Sequence, residues 1–110
     1  MKKFVVIYHA PTSAMEQMSP AGSETAKESM GKWMEWAKNC GPALLDLGSP
    51  LGNGQKVTTS GNTPSDKNVV GYSILQAKDM EAAKKLLNDH PHLWTNTCEI
   101  EIHECLPLPS

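Results

Sequence analysis

The chain has 110 residues with 10 basic and 12 acidic side chains, a formal net charge of −2, which suits one domain with one core. The near-balance of charge, with lysines scattered in pairs such as Lys2-Lys3 and Lys84-Lys85, excludes a nucleic-acid partner held by clustered phosphate contacts. No apolar run approaches the ~20 residues of a membrane span, and the apolar stretch Phe4–Tyr8 is too short for a signal peptide, so a cytoplasmic protein with no membrane contact is expected.

KFVVIYH (3–9) reads as a strand, rich in β-branched and aromatic residues and ended by Pro11. Phe4, Val6 and Tyr8 lie on one face and Val5 and Ile7 on the other, so both faces are expected to be covered. After the polar loop PTSAMEQMSPAGS comes a helix over about Glu24–Asn39, with Ser23 placed to cap it. Its stripe is Ala26, Met30, Trp33, Met34 and Ala37, Trp36 falls off that stripe, and Gly41 and Pro42 stop the helix.

ALLDLG (43–48) is a second strand. KVTTSG (56–61) is a short third, after a hairpin turn at Gly52-Asn53-Gly54, and NTPSDK is a loop. NVVGYSILQ (68–76) is a fourth strand, again apolar on both faces. Asp79 caps a second helix, about Met80–Asp89, buried through Met80, Ala83, Leu86 and Leu87. The last strand, CEIEIHECL (98–106), alternates, with Ile100 and Ile102 inward and Glu99, Glu101 and His103 outward. The three cysteines, Cys40, Cys98 and Cys105, form no CxxC and are expected as reduced, largely buried thiols.

The order is β-α-β-β-β-α-β. Right-handed crossovers put both helices on one face of the sheet, which leaves the other face apolar and open, as an interface is. The expected architecture is a single α+β domain over 1–110, a ferredoxin-like sandwich with an antiparallel sheet and two helices on one face. It would pair as a homodimer through the open sheet face.

KFVVIYH at the start, GPALLDLGSPL after the first helix and LNDHPHLWTNTCEIEIHECLPLP at the end together resemble the YCII-related domain, over nearly the whole chain. The resemblance implies a dimeric α+β barrel. It also implies a small cofactor-independent enzyme whose relatives use a His–Asp pair, in a superfamily of lyases, isomerases and monooxygenases. The first helix carries no histidine, and SDKNVVGY stands where another branch carries DGPF.

The residues that carry chemistry each have a structural and a functional reading. His90-Pro91-His92 suits a helix stop, since proline cannot continue a helix and a protonated His90 complements the helix dipole. In extended backbone His90 and His92 also share a face, where they can form an acid/base pair or two metal ligands, and Leu93 and Trp94 would tuck against the core. His9 at the strand end, beside Tyr8, either bonds a loop or binds a polar substrate with the phenol. Asp46, inside the run Leu44-Leu45-Asp46-Leu47, either faces water or orients a histidine. Glu99, Glu101 and His103 form a solvated face rather than a metal patch, and no HExxH or CxxC occurs, so no metal and no cofactor are expected.

Two functions fit. One is a small lyase or isomerase in which His90 or His92 moves a proton on a small organic molecule, with Asp46 or Tyr8 orienting it and Tyr8 and His9 beside the substrate. The other is a non-catalytic dimeric module that binds a small molecule or docks a partner.

Overall fold

Alternation of large apolar side chains in KKFVVIYH makes β1, Lys2–His9, the central strand of the sheet. The structure, a computed structural model, describes residues 1–11, 22–88, 90–94 and 98–108, with side chains excepted at 22–29 and 94. The polar loop expected at 11–23 therefore lies largely outside the described residues. Beside β1 stand β2 (Leu44–Asp46), β5 (Val69–Ala77) and β6 (Glu99–Glu104), in the order β2-β5-β1-β6 with every pair antiparallel. With α1 (Gly22–Cys40) and α2 (Met80–Leu86), the chain is a mixed α+β protein with an antiparallel sheet and two helices.

The core lies on one side of the sheet. Phe4, Val6 and Tyr8 of β1 join Leu75 and Ala77 of β5, Trp36 and Cys40 of α1, and Ala83 and Leu87 at α2. Val5, Ile7, Tyr72 and Ile74 sit on the opposite face, half-buried, and acidic Glu99 and Glu101 of β6 are exposed at its edge. That face is thus apolar only along its two central strands.

α1 turns a different stripe to the core than the periodicity predicted. Met30 and Met34, expected inside, are 47% and 51% exposed, whereas Trp36, expected off the stripe, is only 6% exposed. The set packed on the core is buried Trp36 and Cys40 with half-buried Trp33 and Ala37, at i, i+3, i+4 and i+7 from Trp33. An indole removes more apolar area from water than a methionine, and it needs an acceptor for its N–H. Trp36 finds one, donating from Nε1 to the Leu86 carbonyl oxygen of α2 at 2.8 Å. Ser23 lies within the helix rather than before it.

Other boundaries moved for local reasons. Asp79 does cap α2, its carboxylate accepting from the Ala82 N–H at 2.9 Å, but the helix ends at Leu86. Its expected last residue, Asp89, is outside the described residues. The hairpin turn is not at Gly52-Asn53-Gly54. β3 (Gln55–Thr58) pairs antiparallel with β4 (Gly61–Pro64) across Thr59-Ser60, so half of the expected NTPSDK loop is strand. Thr58 Oγ1 donates to the Gly61 carbonyl oxygen at 3.0 Å and accepts from the Ser60 N–H, closing the turn with side-chain chemistry rather than an Asn-Gly pair. Among the cysteines, Cys40 is buried and Cys98 half-buried, but Cys105 is exposed, beyond the end of β6.

Two glycines hold the strands around the central residue Tyr8. Gly71 lies opposite Tyr8 in the β1–β5 register, and a Cβ there would stand 3.3 Å from the Tyr8 ring. Gly48 has φ +81, and a Cβ would meet the Tyr72 carbonyl oxygen at 1.7 Å. Gly48→Ala is expected to cost at least about 2 kcal/mol. Gly31→Ala, exposed within α1 where a Cβ meets nothing within 4 Å, is expected to stabilise by about 0.5–1 kcal/mol. Urea midpoints of the two variants should move in opposite directions.

Candidate functional site

Proline at 91 cannot extend α2, and the chain turns at His90 into a 3-10 helix over Pro91–Trp94. The two histidines are therefore not side by side on an extended segment, as the sequence reading had them. His90 is 0% exposed, and its ring packs among Trp36, Trp33 and Tyr8 with centroids 4.3, 4.4 and 4.9 Å away. The His92 ring stands 6.5 Å from that of His90, nearly perpendicular to it. Leu93, expected in the core, is 41% exposed.

Hydrogen bonds fix the tautomer of His90. The His92 backbone N–H donates to His90 Nδ1 at 3.0 Å, so that nitrogen carries a lone pair and the neutral ring carries its proton on Nε2. His90 Nε2 is buried and has no hydrogen-bond partner among the described residues. Burial, with a smaller contribution from the His92 charge, pushes the His90 pKa down to about 3. The expected role of a protonated His90 at the helix end is thereby corrected: the ring is neutral at pH 7. His92 is half-buried and its Nε2 donates to the His9 carbonyl oxygen at 2.8 Å. Burial lowers its pKa more than backbone hydrogen bonds at His9 and Glu99 raise it. His92 is thus occupied with the backbone and acts on His90 through its own N–H.

Tyr8 closes another side of the box. Ser73 Oγ donates to the Leu47 carbonyl oxygen at 2.6 Å, which spends its single proton. The Tyr8 hydroxyl, 2.8 Å from Ser73 Oγ, must then be the donor in that pair. Burial raises the Tyr8 pKa well above its ordinary value, against a smaller lowering by Ser73. Tyr8 is a neutral, committed donor whose ring face is available to the site.

The remaining sequence candidates go elsewhere. His9 follows Tyr8 along one strand and so takes the other face, where Tyr8 cannot share a proton with it. Its Nδ1 donates to the Lys67 carbonyl oxygen at 2.8 Å and its Nε2 pairs with the Glu101 carboxylate at 2.6 Å, while His103 stands 3.7 Å from the other Glu101 oxygen. Asp46 is exposed and accepts from the Gly48 N–H at 2.8 Å. It pairs with Ile74, whose side chain is on the sheet face opposite Leu75 and the core, so it orients neither His90 nor His92. The carboxylate's cost inside an apolar run is met by this turn and by water. Among the described residues no group of three or more His, Cys, Asp or Glu side chains is arranged to hold a metal ion, and no helix is long and apolar enough to cross a membrane.

Of the sequence candidates the structure brings together His90, His92 and Tyr8, beside Trp33, which the sequence placed in the core, and Trp36, which it placed off the stripe, able to line a pocket or a dimer edge. The spacing of three between the two tryptophans was the available signal. The chain matches no protein-family model and has no significant match among curated proteins or solved structures.

The lowered pKa of His90 sets a pH dependence. Above an unfolded pKa of about 6.5, both states are neutral there and stability is unaffected. As pH falls from about 6.5 toward 3, the unfolded chain takes up a proton that the folded chain refuses, so stability is lost. The loss should approach about 2–3 kcal/mol at pH 4.5. Urea titrations at pH 7.5 and 4.5 should show it. His90→Phe should flatten the difference, leaving the smaller slope that His92 contributes in the same direction.

Proposed function

We propose that this chain is a small-molecule-binding protein whose site is the His90 box, and that it works as a homodimer of the ferredoxin-like, YCII-related kind. The observation that carries the reading is the His90 Nε2–H, a fully buried donor without an acceptor among the described residues. Such a group costs roughly 1–3 kcal/mol, and an acceptor atom of a ligand removes that cost. Around it are three aromatic rings, so the ligand class is a planar organic molecule carrying a carbonyl or carboxylate oxygen.

The strand order β2-β5-β1-β6 supports the ferredoxin-like assignment, with the β3–β4 hairpin as an insertion between β2 and β5. The half-buried strip Val5, Ile7, Tyr72 and Ile74 supports pairing of two sheets face to face.

The second reading is catalysis, as a cofactor-independent lyase or isomerase. A histidine whose pKa is held near 3 does not act as a base at neutral pH, but as a neutral donor it can polarise a carbonyl oxygen. In that reaction His90 is the donor, His92 holds it in the correct tautomer, and Tyr8 and Trp33 place the ring of the substrate. Asp46 has no part in it.

His90→Phe tests the site. Phe removes the unpartnered donor but also the acceptor of the His92 N–H, so stability at pH 7.5 is expected to change by no more than about 1 kcal/mol, while binding of carbonyl-bearing aromatic compounds is abolished. Retained binding would sink the reading. Ile7→Lys tests the interface separately: sedimentation should show a dimer for the unaltered chain and a monomer for the variant.

A further inference from the structure

Both ring nitrogens of His9 face oxygen atoms. Nδ1 is 2.8 Å from the Lys67 carbonyl oxygen, and Nε2 is 2.6 Å from Glu101 Oε1. A carbonyl oxygen only accepts, so Nδ1 carries a proton. A neutral imidazole then has a bare lone pair on Nε2, and an ionised carboxylate has no proton to give it. Two acceptors at 2.6 Å repel, so the contact contains one proton more than a neutral ring and a carboxylate bring. The pair closes into a short, charge-assisted bond only while it holds that proton.

The ring ties the end of β1 to β6 through Glu101 and to the segment leading into β5 through Lys67. Beside it the Ala10 N–H donates to the carbonyl oxygen of Asn68 at 3.0 Å, and Asn68 turns the chain into β5 with φ 58. The backbone of His9 serves the site. Its carbonyl oxygen accepts from His92 Nε2 at 2.8 Å, and the His92 ring also bonds the backbone of Glu99, the cross-strand partner of His9. The His92 N–H in turn donates to His90 Nδ1 at 3.0 Å. A line of contacts thus runs from an exposed carboxylate on the open sheet face to the buried imidazole. Among the described residues, β6 brings Glu99, Glu101 and His103 to this line, His103 standing 3.7 Å from the second Glu101 oxygen. The 3-10 turn brings His92, and the approach to β5 brings Lys67 followed by uncharged Asn68 and Val69.

We propose that His9 and Glu101 are a proton-operated clamp: closed, it holds the end of β1 and with it the acceptor of the His92 ring, and it opens as pH rises. Imidazole is the side chain that titrates between about pH 5 and 8. When the shared proton leaves, lone pair faces carboxylate, the Glu101 side chain turns to water, and the ring keeps only its bond to Lys67. The end of β1 is then fastened to β6 on the core side alone. The inference rests on the reading of the His90 box for what the clamp governs, namely how firmly His92 holds the His90 tautomer.

Two readouts on the ligand-free chain test the clamp between pH 5.5 and 8.5: hydrogen exchange of the Ala10 amide, corrected for its intrinsic rate, and the imidazole nitrogen signals by NMR. Protection of Ala10 is expected to fall at least about threefold as pH rises. The Cys105 N–H, bonded to the Lys3 carbonyl oxygen at the other end of β1, should not follow it. Global stability, through His90, is lower at pH 5.5 than at 8.5, so it moves Ala10 in the opposite direction. The His92 Nε2 signal should shift with the midpoint of the His9 ring. Glu101 is exposed, so substitutions there leave the fold intact. Glu101→Gln accepts from a protonated Nε2 and donates to a bare one, and should keep Ala10 protected at both pH values. Glu101→Ala should leave it poorly protected at both. Constant protection in the unaltered chain would overturn the clamp, as would a Glu101→Gln variant that keeps the full pH response, or a His92 signal that follows the midpoint of His103. Since neither readout needs a ligand, a failed clamp is told apart from a failed His90 site, which His90→Phe decides.

Discussion

The arrangement at the site depends on one backbone hydrogen bond, from the His92 N–H to His90 Nδ1. It exists because Pro91 bars the helix and bends the chain into a 3-10 turn, bringing the second residue's amide back onto the first residue's ring. Once that nitrogen is an acceptor, the proton of the neutral imidazole has only Nε2 to sit on. Three aromatic rings pack on the imidazole, no described residue offers Nε2 an acceptor, and burial prevents the ring from charging. A helix stop and a poised donor are therefore the same piece of geometry.

The sheet supplies the rest by alternation. Period-two patterning sends Tyr8 inward and His9 outward, and the difference of one residue separates a neutral buried hydroxyl from a half-buried imidazole paired with an exposed carboxylate. A bulge between Tyr8 and His9 shifts the register with β5, so that Tyr8 faces Gly71 and His9 faces Val69. Val70, the extra residue, is buried along with Gly71 even though the two are consecutive. Small residues on β5 leave the room that the Tyr8 ring takes, and Ser73 gives its hydroxyl an oxygen.

Much of this was legible in the residues, and the failures have physical causes. The strands with strong β-branched patterning, β1, β5 and β6, stand where the pattern put them, as do the Asp79 cap and the core positions of α2. The stripe on α1 was misjudged because methionine and tryptophan score alike as apolar, while only tryptophan had a backbone acceptor waiting on α2. The hairpin was misplaced because glycine and asparagine signal turns more loudly than Thr-Thr-Ser-Gly does. His90 and His92 were found, but their relation was not. That relation needed the 3-10 turn, which a proline announces without specifying. Asp46 seemed a partner for a histidine only because strand neighbours in sequence say nothing of which sheet face a distant loop covers.

The β3–β4 hairpin shows what a fold can carry without depending on it. All eight of its strand residues are exposed, and its two strands pair with each other rather than with the main sheet. An isolated hairpin of this size is marginal by itself, so it can form and melt many times while the four-stranded sheet stays closed. Its tip at Thr59-Ser60 is accordingly a handle: a spectroscopic label, an epitope or a short peptide grafted there would ride on the protein while leaving the packing around Tyr8 and His90 as it is.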